Sequence, residues 1–400
     1  MRILTFLHSF EPGGVERVAL RLVRRWRETG IDALLFIGRN EGALHDELAQ
    51  DLAFGLPPRT GWWSRPLETF WMIAKLPAEI RRTRPDVLFC SGNTYSVVAV
   101  AMKLILGNEC PPIVAKISND LVRPDLSRVG RQFHAAWARL QSRFIDCWVV
   151  MHASMRDEVA ATIGAAALVV IPDPALTEAQ LVVLQSWRPR RLAGHGRRFV
   201  AVGRLVPQKN YPLMLRAFAA TAEAGDTLTI FGEGPARGRL EDLVRALSLQ
   251  TRVHLAGHVP DAADQLLDHD VLLLSSRYEG TPAVLIEAIA CGIPIVATDC
   301  GAGVRGLLAD CDQARIVANG DTAGFGMAIA ALSLAAGERA VQSGAAFTIE
   351  AGAKAYLDAF ALARRAHAGH PVERMVGQPL LHAIDAPDLA PVSDRDRKVA

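Results

Sequence analysis

The sequence predicts an α/β protein made of two open, mostly parallel α/β units that face each other across a cleft. Three observations carry this. Short apolar runs at 3–7, 33–37, 87–90, 113–117, 147–150 and 168–171 alternate with amphipathic stretches of helical period. That is the pattern of strands buried on both faces by covering helices. The same pattern restarts at 199–202, 228–231, 253–256, 271–274 and 295–297. Between the two sets, residues 172–196 hold Pro172, Pro174 and Pro189 together with an Arg-rich stretch ending at Gly194, which reads as a linker. The units are therefore placed at 1–171 and 197–366, with a Pro- and Asp-rich tail at 367–400. Open α/β sheets bind ligands at the carboxyl ends of their strands, so the candidate site lies where the two units meet.

Composition supports two well-filled cores. The chain has 400 residues, half of them hydrophobic and 22% charged, too long for one ordinary domain and too apolar for disorder. A net charge of +2 gives no argument for nucleic acid as a partner. The charge is uneven, however: residues 1–170 carry 21 Lys and Arg against 17 Asp and Glu, a balance of +4. A mildly basic first unit suits an anionic partner. The six cysteines show no CxxC and no regular spacing, and several flank apolar runs, so they read as buried thiols in a reducing compartment. No apolar run reaches a membrane span, and the start runs directly into a strand pattern, so a cytoplasmic protein is expected. Asp310-Cys311-Asp312 looks like a metal-binding Asp-x-Asp, but its spacing to other ligands asks for no metal.

The chemistry concentrates in the second unit. Gly203-Arg204-Leu205-Val206-Pro207-Gln208-Lys209-Asn210 follows one strand and precedes a helix. Arg204 offers a planar fork of donors and Lys209 a mobile point charge, a combination suited to a diphosphate. By itself such a pair is usually a solvated basic loop. Phe231-Gly232-Glu233-Gly234-Pro235 ends the next strand, and Gly232 and Gly234 let backbone pass close to a ligand. Gly257-His258-Val259 closes the following strand and could line a base pocket.

The most specific segment runs from Asp270 to Ala288 as strand, loop and helix, with Pro282 in the first helical turn. Its backbone from Gly280 through Thr281, Pro282, Ala283 and Val284 would seat phosphates on unpaired amides at the helix start. Glu279 precedes that helix, and Glu287 lies eight residues later inside the apolar run Leu285-Ile286-Glu287-Ala288. An unpaired carboxylate there would be costly, and the vicinal hydroxyls of a ribose are suitable partners.

With these residues in view, the chain resembles the retaining glycosyltransferases of family 4, which have the GT-B fold of two Rossmann-like domains. The likeness spans roughly residues 1–366 and is most specific from Gly203 to Asp299. The family's glutamate-x7-glutamate motif matches Glu279 and Glu287, its glycine-arginine pair and lysine match Gly203, Arg204 and Lys209, and its glycine-glutamate-glycine turn matches residues 232–234. Gly13 and Gly14 occupy the family's first glycine loop, which approaches the donor phosphates. The resemblance implies that Arg204, Lys209 and Glu279 are catalytic, with Arg204 and Lys209 neutralising the departing diphosphate and Glu279 contacting the donor sugar. It implies that Glu287 grips the ribose. The donor is then a UDP- or GDP-sugar, no metal or other cofactor is expected, and the sugar is transferred with retention.

The expected acceptor is a glycan or an isoprenoid-diphosphate-linked saccharide of cell-envelope polysaccharide synthesis. A sugar-nucleotide epimerase of the same fold, or a non-catalytic nucleotide-sugar scaffold, are the competing readings. Two departures bear on this. The histidine that many members carry after the fourth strand is absent from residues 116–124, where Asn119 is the polar candidate for substrate contact. The glutamate that follows the usual glycine pair after Asp299 is absent too, and Arg305 stands in that stretch.

The acceptor side is less specific. Residues 15–26 place Val15, Val18, Ala19, Leu22, Val23 and Trp26 on one helical face and Arg17, Arg21 and Arg24 on another. This is either a core-facing helix with a solvated basic side or a patch toward anionic lipid or a phosphate-bearing acceptor. Trp62 and Trp63 beside Arg65 add aromatic candidates for a lipid surface. Peripheral contact with the inner face of the cytoplasmic membrane is the corresponding expectation.

Overall fold

A computed structural model describes residues 1–57, 67–118, 121, 127–164, 167–186, 196–260, 262–332 and 344–369. The first half runs β1 (Arg2–Leu7), α1 (Gly14–Glu28), β2 (Asp32–Ile37), α2 (Glu68–Thr83), β3 (Val87–Cys90), α3 (Ser96–Leu106), β4 (Ile113–Ile117), α4 (Arg128–Gln141), β5 (Cys147–Val150), α5 (Ala153–Ile163) and β6 (Ala167–Val170). After α6 (Glu178–Ser186) the second half runs β7 (Arg198–Val202), α7 (Tyr211–Thr221), β8 (Thr227–Phe231), α8 (Arg237–Ala246), β9 (Val253–Gly257), α9 (Ala262–Leu266), β10 (Val271–Leu274), α10 (Ala283–Cys291), β11 (Ile295–Thr298), α11 (Ala302–Leu308), β12 (Ala314–Val317) and α12 (Thr322–Ala331). A last helix, α13 (Ile349–His367), follows.

Each half is a six-stranded parallel sheet. The first has the order β2-β1-β3-β4-β5-β6 and the second β12-β11-β10-β7-β8-β9. β3, β4, β5, β10 and β11 are buried along their whole length, which is why they read as unbroken apolar runs. Strand order reverses between β1 and β3 in the first sheet and between β7 and β10 in the second. Chains leaving adjacent strands at such a reversal turn to opposite faces and leave a crevice between them. Most of the predicted site residues follow β1, β7 and β10, the strands that flank the two reversals.

Three elements differ from the sequence reading. Inside the stretch read as linker, α6 is a helix whose Leu181 and Leu184 join the core of the second half. The pattern at 314–317 is half-exposed, and β12 there is an edge strand, so its residues lack the buried run of β10 and β11 beside it. The helix at the end of the stretch placed in the second unit, α13, packs instead on the first sheet. Trp26 Nε1 donates to Ala353 O at 3.0 Å, and Trp26, Phe89, Tyr356 and Phe360 form one aromatic cluster. The chain thus crosses between halves twice, and the crossings pair: Leu176 N–H donates to Phe347 O at 3.1 Å and Ile349 N–H to Leu176 O at 2.6 Å. A buried ion pair between Lys116 of β4 and Asp173 ties the first crossing to the first sheet.

Candidate active site

At the carboxyl end of the second sheet three loops are stacked by their own backbones. Gly203 N–H donates to Phe231 O at 2.9 Å, Leu205 N–H to Glu233 O at 2.8 Å, and Gly232 N–H to Gly257 O at 2.7 Å. Tyr211 Oη donates to Gly203 O at 2.8 Å and holds the first loop from below. The two glycines expected to pass close to a ligand have a different first duty. A Cβ at Gly232 would fall 2.0 Å from Gly203 O, and one at Gly234 would fall 2.5 Å from Leu205 O. Gly232 also has φ +145°, which side chains rarely adopt. Their smallness lets the neighbouring loop close, and that loop carries Arg204 and Lys209.

Lys209 and Glu279, assigned to different parts of a ligand by the sequence, are partners here. Lys209 Nζ lies 2.6 Å from Glu279 Oε1, with side chains 16% and 9% exposed. The pair bridges the loops after β7 and β10, on either side of the strand-order reversal. Three further bonds sew the same loops together: Gln208 Nε2 donates to Tyr278 O at 2.9 Å, Arg277 N–H to Gln208 O at 2.8 Å, and Ser275 Oγ to Lys209 O at 2.8 Å. Glu279 N–H donates to Cys300 O at 2.9 Å, which joins the loop after β11. Burial, and after it the Glu279 carboxylate, push the Tyr211 phenol above its usual range. Arg204 is exposed on the same loop, its side chain without a hydrogen bond to the described residues. One cation is thus held by a carboxylate and the other is available.

Pro282 is the residue before α10, and its side chain supplies no cap to the helix start. Pro282 and Val284 are buried, Ala283 and Glu287 half-buried. Glu287 lies about 6 Å along the axis from Ala283 at 1.5 Å per residue. Gly280 and Thr281 do not line open space. A Cβ at Gly280 would fall 2.4 Å from Ser118 O and 2.8 Å from Met151 Cε, and Thr281 Oγ1 reaches Met155 Sδ at 3.9 Å. Both are packed against the first half at the ends of β4 and β5.

The first half contributes its own reversal. Gly13 precedes α1 with an extended backbone, and Gly14 is its exposed first residue, where an added Cβ would meet nothing within 4 Å. Behind them Tyr95 Oη donates to Glu16 Oε1 at 2.7 Å, and the His8 ring lies 4.7 Å from the Tyr95 ring. Burial, with the Arg39 guanidinium adding, lowers the His8 pKa to about 4. Asn93 Oδ1 accepts from Ser118 N–H at 2.7 Å. Asn119, with the loop around it, and the pair Trp62 and Trp63 lie outside the described residues.

Contacts between the halves supply pairings that the sequence reading missed. Ser154 Oγ donates to Ala302 O at 2.7 Å, and a Cβ at Gly306 would fall 2.3 Å from His152 Nδ1. On the opposite side, His258 Nε2 lies 2.7 Å from Glu47 Oε1, whose other oxygen pairs with Arg17 at 2.8 Å. His258, expected to line a base pocket, is therefore engaged with the first half. These partners are 148 and 211 residues apart in the chain, so no local pattern announces them. The basic face of α1 is engaged as well. Arg17 meets Glu47, Arg21 donates to Ala175 O at 2.8 Å, and Arg24 donates to Leu48 O at 2.8 Å, so this face ties α1 to neighbouring segments of the chain.

Among the described residues, no group of three or more His, Cys, Asp or Glu is placed to hold a metal ion, and no helix is long and apolar enough to cross a membrane. None of the six cysteines forms a disulfide, and all but Cys311 are buried.

Two facing parallel sheets with a cation-carboxylate cluster at the second reversal define the GT-B class. Residues 12–177 match the family model described as Glycosyltransferase Family 4, and residues 196–334 match the one described as Glycosyl transferases group 1. The chain belongs to the glycosyltransferases of the family 4 type. It is similar to the N-acetylgalactosamine-N,N'-diacetylbacillosaminyl-diphospho-undecaprenol 4-alpha-N-acetylgalactosaminyltransferase of Campylobacter jejuni, 34% identical over 111 residues that make up 28% of this chain and 30% of that one. It is also similar to the amylovoran biosynthesis glycosyltransferase AmsD of Erwinia amylovora, 31% identical over 113 residues, 28% of this chain and 32% of that one. Across such curated relatives the chain spans between about a fifth and a third of their length. In fold it is similar to Anabaena HepE, solved in complex with UDP-glucose, with a TM-score of 0.66 at 19% identity over 92% of this chain and 99% of that one.

Proposed function

We propose that this glycosyltransferase moves a sugar from a nucleoside-diphosphate sugar, with retention of configuration, to a glycan or lipid-linked acceptor in cell-envelope polysaccharide synthesis. The observation that carries the reading is the Lys209 to Glu279 pair across the strand-order reversal, with Arg204 open beside it. Lys209 has three N–H donors, so one can stay on Glu279 while the others turn to a diphosphate oxygen. Arg204 adds a second, bidentate cation where the leaving group's charge develops. Glu279 keeps a second oxygen for a sugar hydroxyl, and Glu287 on α10 serves the ribose. Ala283 and Val284 present their amides at the helix start, and Gly14 leaves room for phosphate from the facing half.

In this scheme the bond from the anomeric carbon to the phosphate oxygen breaks, and the acceptor oxygen bonds to the same face of that carbon. The acceptor's hydroxyl proton passes to the departing diphosphate. Arg204 and Lys209 stabilise that departure, which assigns the cationic work to side chains and makes a metal unnecessary. The donor is taken as a UDP-sugar first, with a GDP-sugar as the other candidate. UDP-glucose in HepE and the diphospho-undecaprenol acceptor in the Campylobacter enzyme's name favour these classes.

The test supplies labelled UDP- and GDP-sugars to the purified chain with a membrane extract, with and without a chelator. Incorporation that survives the chelator, keeps the donor's anomeric configuration and is lost in Glu279→Ala supports the reading. Interconversion of donor without transfer would point to an epimerase and sink it.

A further inference from the structure

Helix α4 is amphipathic in the wrong direction for a core helix. Four of its apolar residues, Val129, Phe133, Ala136 and Leu140, fall at the spacing i, i+4, i+7, i+11, which is one face of a helix, while Trp137 and Ala138 lie half-buried and buried on another. That face looks outward: Phe133 is 74% and Val129 60% exposed, while only Ala138 and Gln141 are buried. Arg128, Arg131 and Arg139 are also exposed and, with Gln132 and Ala135, line a shallow cavity of about 400 Å³ beside the seam. The helix carries no acidic residue. Arg139 donates from Nε to Thr162 O at 3.1 Å, which fixes the stem of one of these side chains against the body of the protein. The apolar exposure continues on the same layer, because α3 packs against both α2 and α4. Phe70 of α2 and Leu104 and Ile105 of α3 are exposed on these neighbouring helices.

From this arrangement we infer that α4 and the adjoining faces of α2 and α3 dock the protein on an anionic lipid bilayer. An apolar seam edged by arginines matches both halves of such a surface, acyl chains for Phe133 and Val129 and lipid phosphates for the guanidinium groups. A second copy of the chain is a poorer occupant. A two-fold interface would set these arginines against their own symmetry mates with no acid of α4 to separate them. The inference replaces α1 with α4 as the membrane-facing helix, since α1 buries its apolar face in the core while α4 exposes Val129 and Phe133. Its purpose rests on the reading of a lipid-linked acceptor, but the docking is testable without transfer.

The experiment floats the purified full-length chain with vesicles of phosphatidylcholine alone and of phosphatidylcholine mixed with phosphatidylglycerol. Binding to the mixed vesicles is expected, with the partition coefficient falling about tenfold in R128E and about tenfold in F133S. Thermal midpoints of both variants should match the parent, since these side chains are exposed. Absence of the parent from mixed vesicles, equal partition into phosphatidylcholine alone, or unchanged partition of both variants would overturn the inference. Self-association in the ultracentrifuge that F133S abolishes would assign the face to a second copy and overturn it as well. If vesicle binding behaves as expected while no sugar is transferred under any condition, the catalytic reading fails and the docking stands.

Discussion

Glu279 is a carboxylate placed where water hardly reaches, and its stability there depends on Lys209 Nζ 2.6 Å away. Removing one partner leaves the other buried and uncompensated, at a cost of about 3–5 kcal/mol, whereas an apolar pair of similar volume restores much of it. Lys209→Ala and Glu279→Ala should each lower the urea midpoint, and Lys209→Met with Glu279→Leu should recover it without recovering transfer. A double-mutant cycle on stability reads this directly, and additive losses would show the pair to be uncoupled. Arg204 is the contrasting case. Exposed and without a side-chain partner, it can go to Ala with no loss of stability, while kcat falls by about 100- to 1000-fold if it stabilises the leaving group. His8 adds a pH dependence. Its folded pKa is lowered to about 4 against an ordinary 6.5, so between these values the unfolded chain binds the extra proton. Its contribution is complete above about pH 7 and is lost as pH falls toward 4, on the order of 3 kcal/mol in all. Urea midpoints at pH 5 and 7 should converge in His8→Gln, and an unchanged pH slope in that variant would exclude His8 as its source. That Arg204, Lys209 and Glu279 sit on loops at strand ends was legible in the sequence, because each follows an apolar run. The bond between Lys209 and Glu279 was not, since it joins residues 70 apart through the strand order.

Among the elements, the strands were legible because parallel strands covered on both faces are unbroken apolar runs. β12 escaped because an edge strand needs no such run, and the place of α13 escaped because an amphipathic helix does not state which sheet it covers. The same limit applied to α1 and α4, both basic and amphipathic. Only the structure shows that α1 buries its apolar face and α4 exposes it. The glycine loops allow a test at this scale. Gly232 packs on Gly203 O and has a positive φ, so Gly232→Ala should cost about 1–3 kcal/mol and displace the loop that carries Arg204 and Lys209. Gly14→Ala meets nothing within 4 Å and starts a helix, so the thermal midpoint should hold. If phosphates approach there, nucleotide-sugar affinity should fall about tenfold all the same. Loss of stability in Gly14→Ala, or none in Gly232→Ala, would reverse the roles given to the two loops.

Across the whole molecule, the halves touch at Gly280 with Ser118, at Ser154 with Ala302 and at His258 with Glu47. Gly280 is the contact that matters for chemistry, because it follows Glu279 in sequence and lies under the end of β4. Adding a methyl group there places Cβ 2.4 Å from Ser118 O, closer than real side chains come. Backbone on both sides leaves little to yield locally, so Gly280→Ala should force the halves apart. The nucleotide contacts proposed here belong mostly to the second half, and the affinity for a nucleoside diphosphate should therefore change less than about threefold. Transfer needs the acceptor side held against the donor sugar, and a displacement of about 1 Å can cost 100-fold in rate. The expected result is a larger radius of gyration by small-angle scattering, near-parental nucleotide affinity by calorimetry and a kcat lowered by about 100-fold. Unchanged scattering with intact transfer would mean that the Gly280 contact is incidental. A loss of nucleotide affinity as large as the loss of transfer would mean that the substitution acts on the donor loop itself and not on the fit between the halves.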